Sequence, residues 1–134
     1  MNKKYNIGDY EEVSRIYTGE DVLEFAELSN DFNPLHLDEV FAKNGIFKKR
    51  IVHGMLYAAM FSKLIATKIP GPGSIYLEQN LRFLKPVYWN EKITARVSII
   101  SVIEKKSLYK LHTIIYKNDT IDDLVVDGNA LIKL

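Results

Sequence analysis

One segment of this chain predicts a helix that is apolar on almost every side, and few folds can accommodate such a helix. Residues 53–69 read HGMLYAAMFSKLIATKI, and a Pro-Gly-Pro-Gly sequence ends the segment. A helix without a broad polar face is buried over most of its surface. Four strand-like segments follow it, separated by short turn-like sequences: 74–84, 93–103, 108–116 and 124–134. Because short connections favour antiparallel neighbours, we predict an α+β fold in which a curved antiparallel sheet is wrapped around the helix.

The composition is typical of one globular domain, which we expect to span residues 1–134. The 134 residues carry a formal net charge of +1, and 47% of them are hydrophobic. This charge balance gives no reason to expect a nucleic acid or a membrane surface as a partner. There is no cysteine, so disulfides, thiolate metal sites and cysteine nucleophiles are excluded. No secretory signal and no membrane-spanning segment is recognisable, and we expect a cytoplasmic protein.

The part of the chain before the long helix predicts a strand, a helix and an extended irregular segment. Residues 12–17 alternate between polar and apolar and predict a strand. Thr18 has the residue type and spacing of a helix N-cap, and the helix should end near Asn30. Residues 31–50 contain an Asn-Pro pair and, over 39–44, a short predicted helix. Irregular segments of this length inside a compact domain are usually functional.

Two residues of the irregular segment have side chains suited to acid–base chemistry. His36 follows Asp31 by five residues, with the Asn-Pro pair between them. On a helix this spacing would direct the two side chains apart, whereas across an Asn-Pro turn they can converge. A carboxylate and an imidazole that converge can share one water molecule and move its protons. The spacing alone leaves open an Asp that only forms a turn and a His on the surface.

The remaining histidines and possible metal ligands give weaker signals. His112 lies in a predicted strand and should face solvent, and His53 stands at the start of the long helix, where capping or packing is the simpler interpretation. Asp31, His36 and Asp38 carry metal-ligating atoms but lack the paired-histidine spacing of a metal site. We therefore expect no metal and no cofactor.

Two stretches of the sequence resemble the (R)-specific enoyl-CoA hydratases. They are SNDFNPLHLD at 29–38 and IVHGM at 51–55. These hydratases are the MaoC-like, or hydratase-2, hotdog proteins, whose motif is an aspartate, any residue, Asn-Pro, any residue and a histidine. The similarity covers nearly the whole chain and is closest to the short single-hotdog members that supply polyhydroxyalkanoate monomers. Asn30 is a departure, because the family usually has glycine there.

This resemblance implies a fold, a reaction and the residues that perform it. It implies one MaoC-like hotdog domain, with an overhang segment over 31–50, in a homodimer whose active sites lie at the interface. The family reaction is the reversible syn addition of water to a trans-2-enoyl-CoA, which gives an (R)-3-hydroxyacyl-CoA. By residue match, Asp31 and His36 hold the catalytic water, and the backbone N–H of Gly54 stabilises the thioester oxyanion. Which of the two side chains is the base stays open.

Further residues are assigned to the acyl-CoA substrate by the same resemblance. Ser62 and Ile65 share one stripe of the long helix with Gly54, and Leu131 is matched to the closed end of the acyl tunnel. Bulky residues at that end would exclude long tails and favour acyl chains of about four to six carbons. Asn33 is expected beside the substrate, where it would mainly shape the loop.

Two other functions remain as alternatives. Dehydration of a 3-hydroxyacyl group on acyl carrier protein uses the same chemistry, and the basic run 48–50 could serve a carrier protein, CoA phosphates or solvent alone. A non-catalytic acyl-CoA-binding hotdog would be expected to lack the pair Asp31 and His36. A hotdog thioesterase would need a carboxylate on or near the long helix, and residues 53–69 contain no Asp or Glu.

Overall fold

A computed structural model describes residues 5–134, and its first half places one strand and three short helices before the long helix. These elements are β1 (Tyr10–Ile16), α1 (Gly19–Ser29), α2 (Pro34–Leu37), α3 (Glu39–Lys43) and α4 (Gly54–Thr67). All but α2 were predicted from the sequence. The Asn-Pro pair indicated a break in helical structure there, yet proline is well suited to the first position of a helix, where α2 uses it.

The two ends of α1 follow the signals in the sequence. Oγ1 of Thr18 accepts a hydrogen bond from the Asp21 N–H at 3.2 Å, and the Asp21 carboxylate accepts one from the Thr18 N–H at 2.9 Å. This reciprocal pair satisfies two N–H groups that the helix leaves without partners. At the other end Asn30 has a φ of 62°, a left-handed conformation that asparagine tolerates better than most residues. The chain thereby turns sharply into the segment that begins with Asp31.

Four strands follow α4 and complete one five-stranded sheet. They are β2 (Ile75–Phe83), β3 (Lys92–Ile103), β4 (Leu108–Lys117) and β5 (Leu124–Lys133). The strand order is β1-β3-β4-β5-β2, and all neighbours are antiparallel. The core lies between α4 and the concave sheet and includes Phe61, Leu64, Ile65, Val97, Leu111 and Ile132. The predicted α+β hotdog fold, including the β3-β4-β5 meander, is confirmed.

One side of α4 stays open in the single protomer, although the apolar sequence predicted burial on most of its surface. Met55 is 64% exposed, and Ser62 is exposed on the following turns. The edge strand β2 is exposed as well, and it carries the apolar side chains of Ile75, Leu77 and Phe83. We call these three residues of β2, together with Met55, the β2 edge. No helix among residues 5–134 is both long and apolar enough to cross a bilayer.

Candidate active site

Three titratable side chains from different elements meet at the N-terminal end of α4. Asp31, His36 and His53 each contribute one ligand-type atom, and these atoms all lie within 4.8 Å of one another. The rings of the two histidines stack, with centroids 3.8 Å apart and an interplanar angle of 29°. The structure therefore brings together Asp31 and His36, an arrangement that the spacing across the Asn-Pro turn allowed but left open, and adds a second imidazole.

Local turns hold Asp31 at the edge of this cluster. Its Oδ1 accepts a hydrogen bond from the Asn33 N–H at 3.2 Å, and the Asn33 side chain in turn accepts one from the Leu35 N–H at 3.1 Å. Asn33 thus caps α2 and shapes the loop, and its side chain is exposed rather than part of the cavity lining. The Asp31 carboxylate is about half exposed, so it can contact a water molecule or a ligand.

The hydrogen bond of His36 determines which of its ring nitrogens is free. Nδ1 lies 2.9 Å from the carbonyl oxygen of Ile51, and a carbonyl oxygen can only accept, so Nδ1 must carry the proton. Burial of the ring is the main cause that lowers the pKa of His36 below 6.5, and the charge of the nearby His53 lowers this pKa further. At neutral pH the ring is therefore uncharged, and its Nε2 keeps a lone pair that can accept a proton.

His53 supports the other two members of the cluster. Its Nε2 donates to the main-chain carbonyl oxygen of Asp31 at 3.0 Å, and its ring meets Phe25 edge-on at 4.9 Å. Its side chain makes no capping hydrogen bond to α4, so the capping interpretation is wrong. The sequence offered one signal for this role, because His53 lies within the second stretch that resembles the hydratases. Its stacking on His36, seventeen residues earlier, depends on the tertiary fold and cannot be seen in the spacing.

A cavity of about 360 Å³ opens beside the cluster. Its polar lining comes mainly from the three clustered side chains and from Gly54. Its other lining residues are mostly apolar: Phe47, Ile51, Val52, Met55, Tyr57, Phe83, Leu84, Lys85 and Pro86. This combination of an apolar wall with a few convergent polar groups is typical of a small-molecule site.

Gly54 gives the cavity a backbone donor directed at a ligand. It is the first residue of α4, where N–H groups have no acceptor within the helix, and none of the described residues accepts from it. A Cβ atom at this position would lie 2.5 Å from Cε1 of Phe83, so only glycine leaves room between that ring and a bound molecule. A free donor at a helix N-terminus suits an oxygen that gains negative charge.

The residues predicted to line the acyl tunnel lie elsewhere in the single protomer. Ser62 is on the exposed side of α4, and Ile65 is buried in the core. Leu131 points away from α4, because side chains alternate along β5 and its neighbours Ala130 and Ile132 are the ones that enter the core. In the single protomer Ile65 and Leu131 therefore do not share one cavity, and their assignment to the acyl tunnel stays a prediction. The apolar wall of the cavity is formed by other residues, which sequence spacing did not identify.

The metal-ligating atoms are arranged differently from the set considered in the sequence. Asp38 is outside the cluster, because its carboxylate accepts from the Phe41 N–H at 3.0 Å and caps α3. In the cluster, His36 and His53 each have one ring nitrogen bonded to a main-chain carbonyl, and Nδ1 of His53 is buried without a hydrogen-bond partner among the described residues. These hydrogen bonds leave each histidine only one ring nitrogen that could bind an ion. The expected absence of a metal stays a prediction.

Comparisons with known proteins agree with the fold. Residues 8–120 match the family model described as a MaoC like domain. The chain is similar to the (R)-specific enoyl-CoA hydratase of Aeromonas caviae, with 42% identity over 128 residues that cover 96% of this chain and 94% of that one. It is also 38% identical over 126 residues to a mitochondrial 3-hydroxyacyl-[acyl-carrier-protein] dehydratase of Arabidopsis thaliana, covering 92% and 74% of the two chains. A solved structure described as the (R)-hydratase from A. caviae involved in PHA biosynthesis aligns with a TM-score of 0.93 and 41% identity over 98% of both chains.

Proposed function

This chain belongs to the MaoC-like domain family, and we propose that it catalyses the reversible syn addition of water to a trans-2-enoyl-CoA, giving an (R)-3-hydroxyacyl-CoA. The observation that carries this proposal is the convergence of Asp31 and His36 at one cavity, beside the free N–H of Gly54. A cytoplasmic location and the absence of a cofactor are further predictions of the same proposal.

The geometry supports a mechanism in which His36 is the base. The thioester oxygen accepts from the Gly54 N–H, and a water molecule lies between the Asp31 carboxylate and Nε2 of His36. As the water oxygen bonds to C3, Nε2 takes its proton, and the electron pair of the double bond moves toward the thioester as an enolate. The enolate then collapses, and C2 takes the proton from the same face, which accounts for syn addition. Asp31 orients the water by accepting its second hydrogen.

The two alternatives are separated by one assay with purified protein. Crotonyl-CoA and crotonyl-acyl carrier protein are supplied in parallel, and loss of the conjugated enoyl-thioester absorbance is followed. We expect turnover of crotonyl-CoA, with the (R) enantiomer of the hydroxy product on chiral analysis. Turnover of the carrier-protein ester alone would instead assign the dehydratase function. Binding of both esters without turnover of either would indicate a non-catalytic acyl-CoA-binding protein.

The β2 edge leads us to propose a homodimer. An exposed strand with apolar side chains is normally covered by another chain or element, and Phe83 of this edge also lines the cavity.

We expect sedimentation to show a dimer at micromolar concentration. Leu77→Asp should shift it toward monomer and reduce activity, because the cavity loses support on that side. Ile121→Asp, which alters an exposed apolar residue in the turn before β5, is the control and should stay dimeric. An active monomeric wild type would contradict this proposal.

For the expected preference for short acyl chains, the cavity offers a residue other than the one assigned from the sequence. Tyr57 lies one turn after Gly54 on α4, lines the cavity and is only 3% exposed. Its ring packs edge-on against Phe83, with centroids 6.0 Å apart. A tail that extends along α4 from the thioester meets these two aromatic rings. We therefore propose that Tyr57, rather than Leu131, limits the length of the acyl chain.

A chain-length series tests this assignment. Tyr57→Leu should raise kcat/KM for eight-carbon relative to four-carbon enoyl-CoA by about tenfold, because each methylene that gains space contributes about 0.8 kcal/mol of burial. Leu131→Ala is the matched control, since Leu131 lies on the other face of the sheet, and its profile should equal that of the wild type. A shifted profile in Leu131→Ala but not in Tyr57→Leu would restore the original assignment.

A further inference from the structure

A second cavity, of about 470 Å³, lies on the surface and has a strongly basic lining. We call it the basic groove, and it is lined by Glu39, Lys43, Lys48, Lys49, Arg50, Tyr88, Trp89 and Asn90. Four of these eight side chains are cationic and one is anionic. The acid–base chemistry proposed above uses none of them.

Within the described part of the chain, no ion pair neutralises the cations of the basic groove. Lys85 and Lys92, elsewhere on the surface, form ion pairs with Asp123 and Asp119, but within residues 5–134 no carboxylate lies within 4.0 Å of the four cations of the groove. Two of the cations contact aromatic rings instead. The Arg50 guanidinium lies 3.8 Å from the ring centroid of Trp89, and Nζ of Lys49 lies 5.5 Å from that of Tyr88. Such contacts orient a cation without cancelling its charge.

The basic groove and the catalytic cavity share a wall. The segment 47–51 provides Phe47 and Ile51 to the cavity and its three middle residues to the groove. Two contacts hold this segment against Tyr88. The hydroxyl of Tyr88 donates to the Phe47 carbonyl oxygen at 3.1 Å, and Ile51 forms a β-bridge with Tyr88. A long ligand whose reacting end is in the cavity can therefore cross this segment and continue into the groove.

We propose that the basic groove binds the phosphates at the nucleotide end of coenzyme A, an inference that rests on the proposed function. Coenzyme A carries a diphosphate and a 3′-phosphate at one end and the thioester at the other, separated by an uncharged pantetheine arm. This arrangement matches an apolar catalytic cavity beside a groove with four uncompensated cations. The phosphates add charge-assisted contacts in the ground state and the transition state alike, so the groove contributes to KM rather than to kcat.

A combined variant tests this proposal in the full-length enzyme. It carries Lys43→Gln, Lys48→Asn and Lys49→Gln, and it keeps Arg50 on Trp89 so that packing is retained. Asparagine is chosen at 48 because the backbone there has a φ of 66°, which asparagine tolerates. The control carries Lys105→Gln, Lys106→Gln and Lys110→Gln, which remove the same charge at exposed positions outside the two cavities. Kinetics are measured with crotonyl-CoA, with crotonyl-acyl carrier protein and with crotonyl-pantetheine, which has no phosphate.

The expected result is a KM for crotonyl-CoA that rises about fivefold or more in the groove variant, with kcat unchanged. The KM for crotonyl-pantetheine should stay the same, and adenosine 3′,5′-bisphosphate should inhibit the wild type more strongly than the variant. An unchanged KM for crotonyl-CoA, or an equal rise in the control, would overturn the assignment while leaving the hydratase function intact. A loss confined to crotonyl-acyl carrier protein would assign the groove to a carrier protein instead. Absence of turnover with both small esters would contradict the proposed function itself.

Discussion

Asp31→Asn is expected to lower kcat for crotonyl-CoA by about 10²-fold or more without unfolding the protein. Asparagine has nearly the same shape, and its Oδ1 can still accept from the Asn33 N–H. The hydrogen bond from His53 goes to the main-chain oxygen of Asp31, so it is retained as well. What changes is the charge, because one carboxylate oxygen becomes an NH₂ group that donates toward the water instead of accepting from it.

Two measurements separate this catalytic effect from a structural one. The steady-state rate with crotonyl-CoA should fall, and the thermal unfolding midpoint should stay near that of the wild type. Asp38→Asn is the matched control, since that side chain caps α3 outside the cavity and asparagine caps a helix about as well, so both turnover and stability should stay near those of the wild type. A rate for Asp31→Asn close to that of the wild type would show that Asp31 is not part of the acid–base machinery.

His36→Gln should lower turnover by a similar factor and should also change the pH dependence. In the wild type His36 must be neutral to act as a base, and burial lowers its pKa below 6.5. As the pH falls through this lowered pKa, Nε2 becomes protonated and kcat/KM falls, whereas above it the rate no longer depends on this group. The acid limb of the wild-type profile should thus lie below pH 6.5, and the variant should lose it.

The matched control for this substitution is His112→Gln. His112 is half exposed on the outer face of the sheet, where its Nε2 lies 2.7 Å from the Asp127 carboxylate. This change removes the same titrating group at a position away from the cavity, so both the rate and the acid limb should be retained. If His36→Gln keeps the wild-type profile, or if His112→Gln loses it, another group must supply the base.

The fold could be predicted from the sequence because local signals and the global pattern agree in this chain. The cap residue Thr18 and the alternation along 93–103 and 108–116 indicated elements that the structure contains. The sequence could also indicate Asp31 and His36 as a candidate pair, because a turn over five residues is a local feature. Each of these inferences depends on neighbours in the sequence, which spacing records directly.

The remaining features depend on contacts between distant segments, which spacing does not record. His53 belongs to the site only because the fold stacks it on His36. Tyr57 appeared to be one more apolar position of a buried helix, and its place in the cavity wall depends on Phe83 from another strand. The face that Leu131 occupies depends on the register of β5 with the neighbouring strand, where Leu131 is paired with Lys110, and the spacing does not record that register.

The stacked imidazoles of His36 and His53 limit how many protons the site can hold. Two cationic rings with centroids 3.8 Å apart would repel each other strongly in a buried position, and the charge of His53 is among the causes that lower the pKa of His36. This repulsion favours the neutral form of His36, so its Nε2 is available to take a proton from water. In the proposed mechanism the same proton then passes to C2 of the substrate. One water molecule thereby supplies both the oxygen on C3 and the hydrogen on C2.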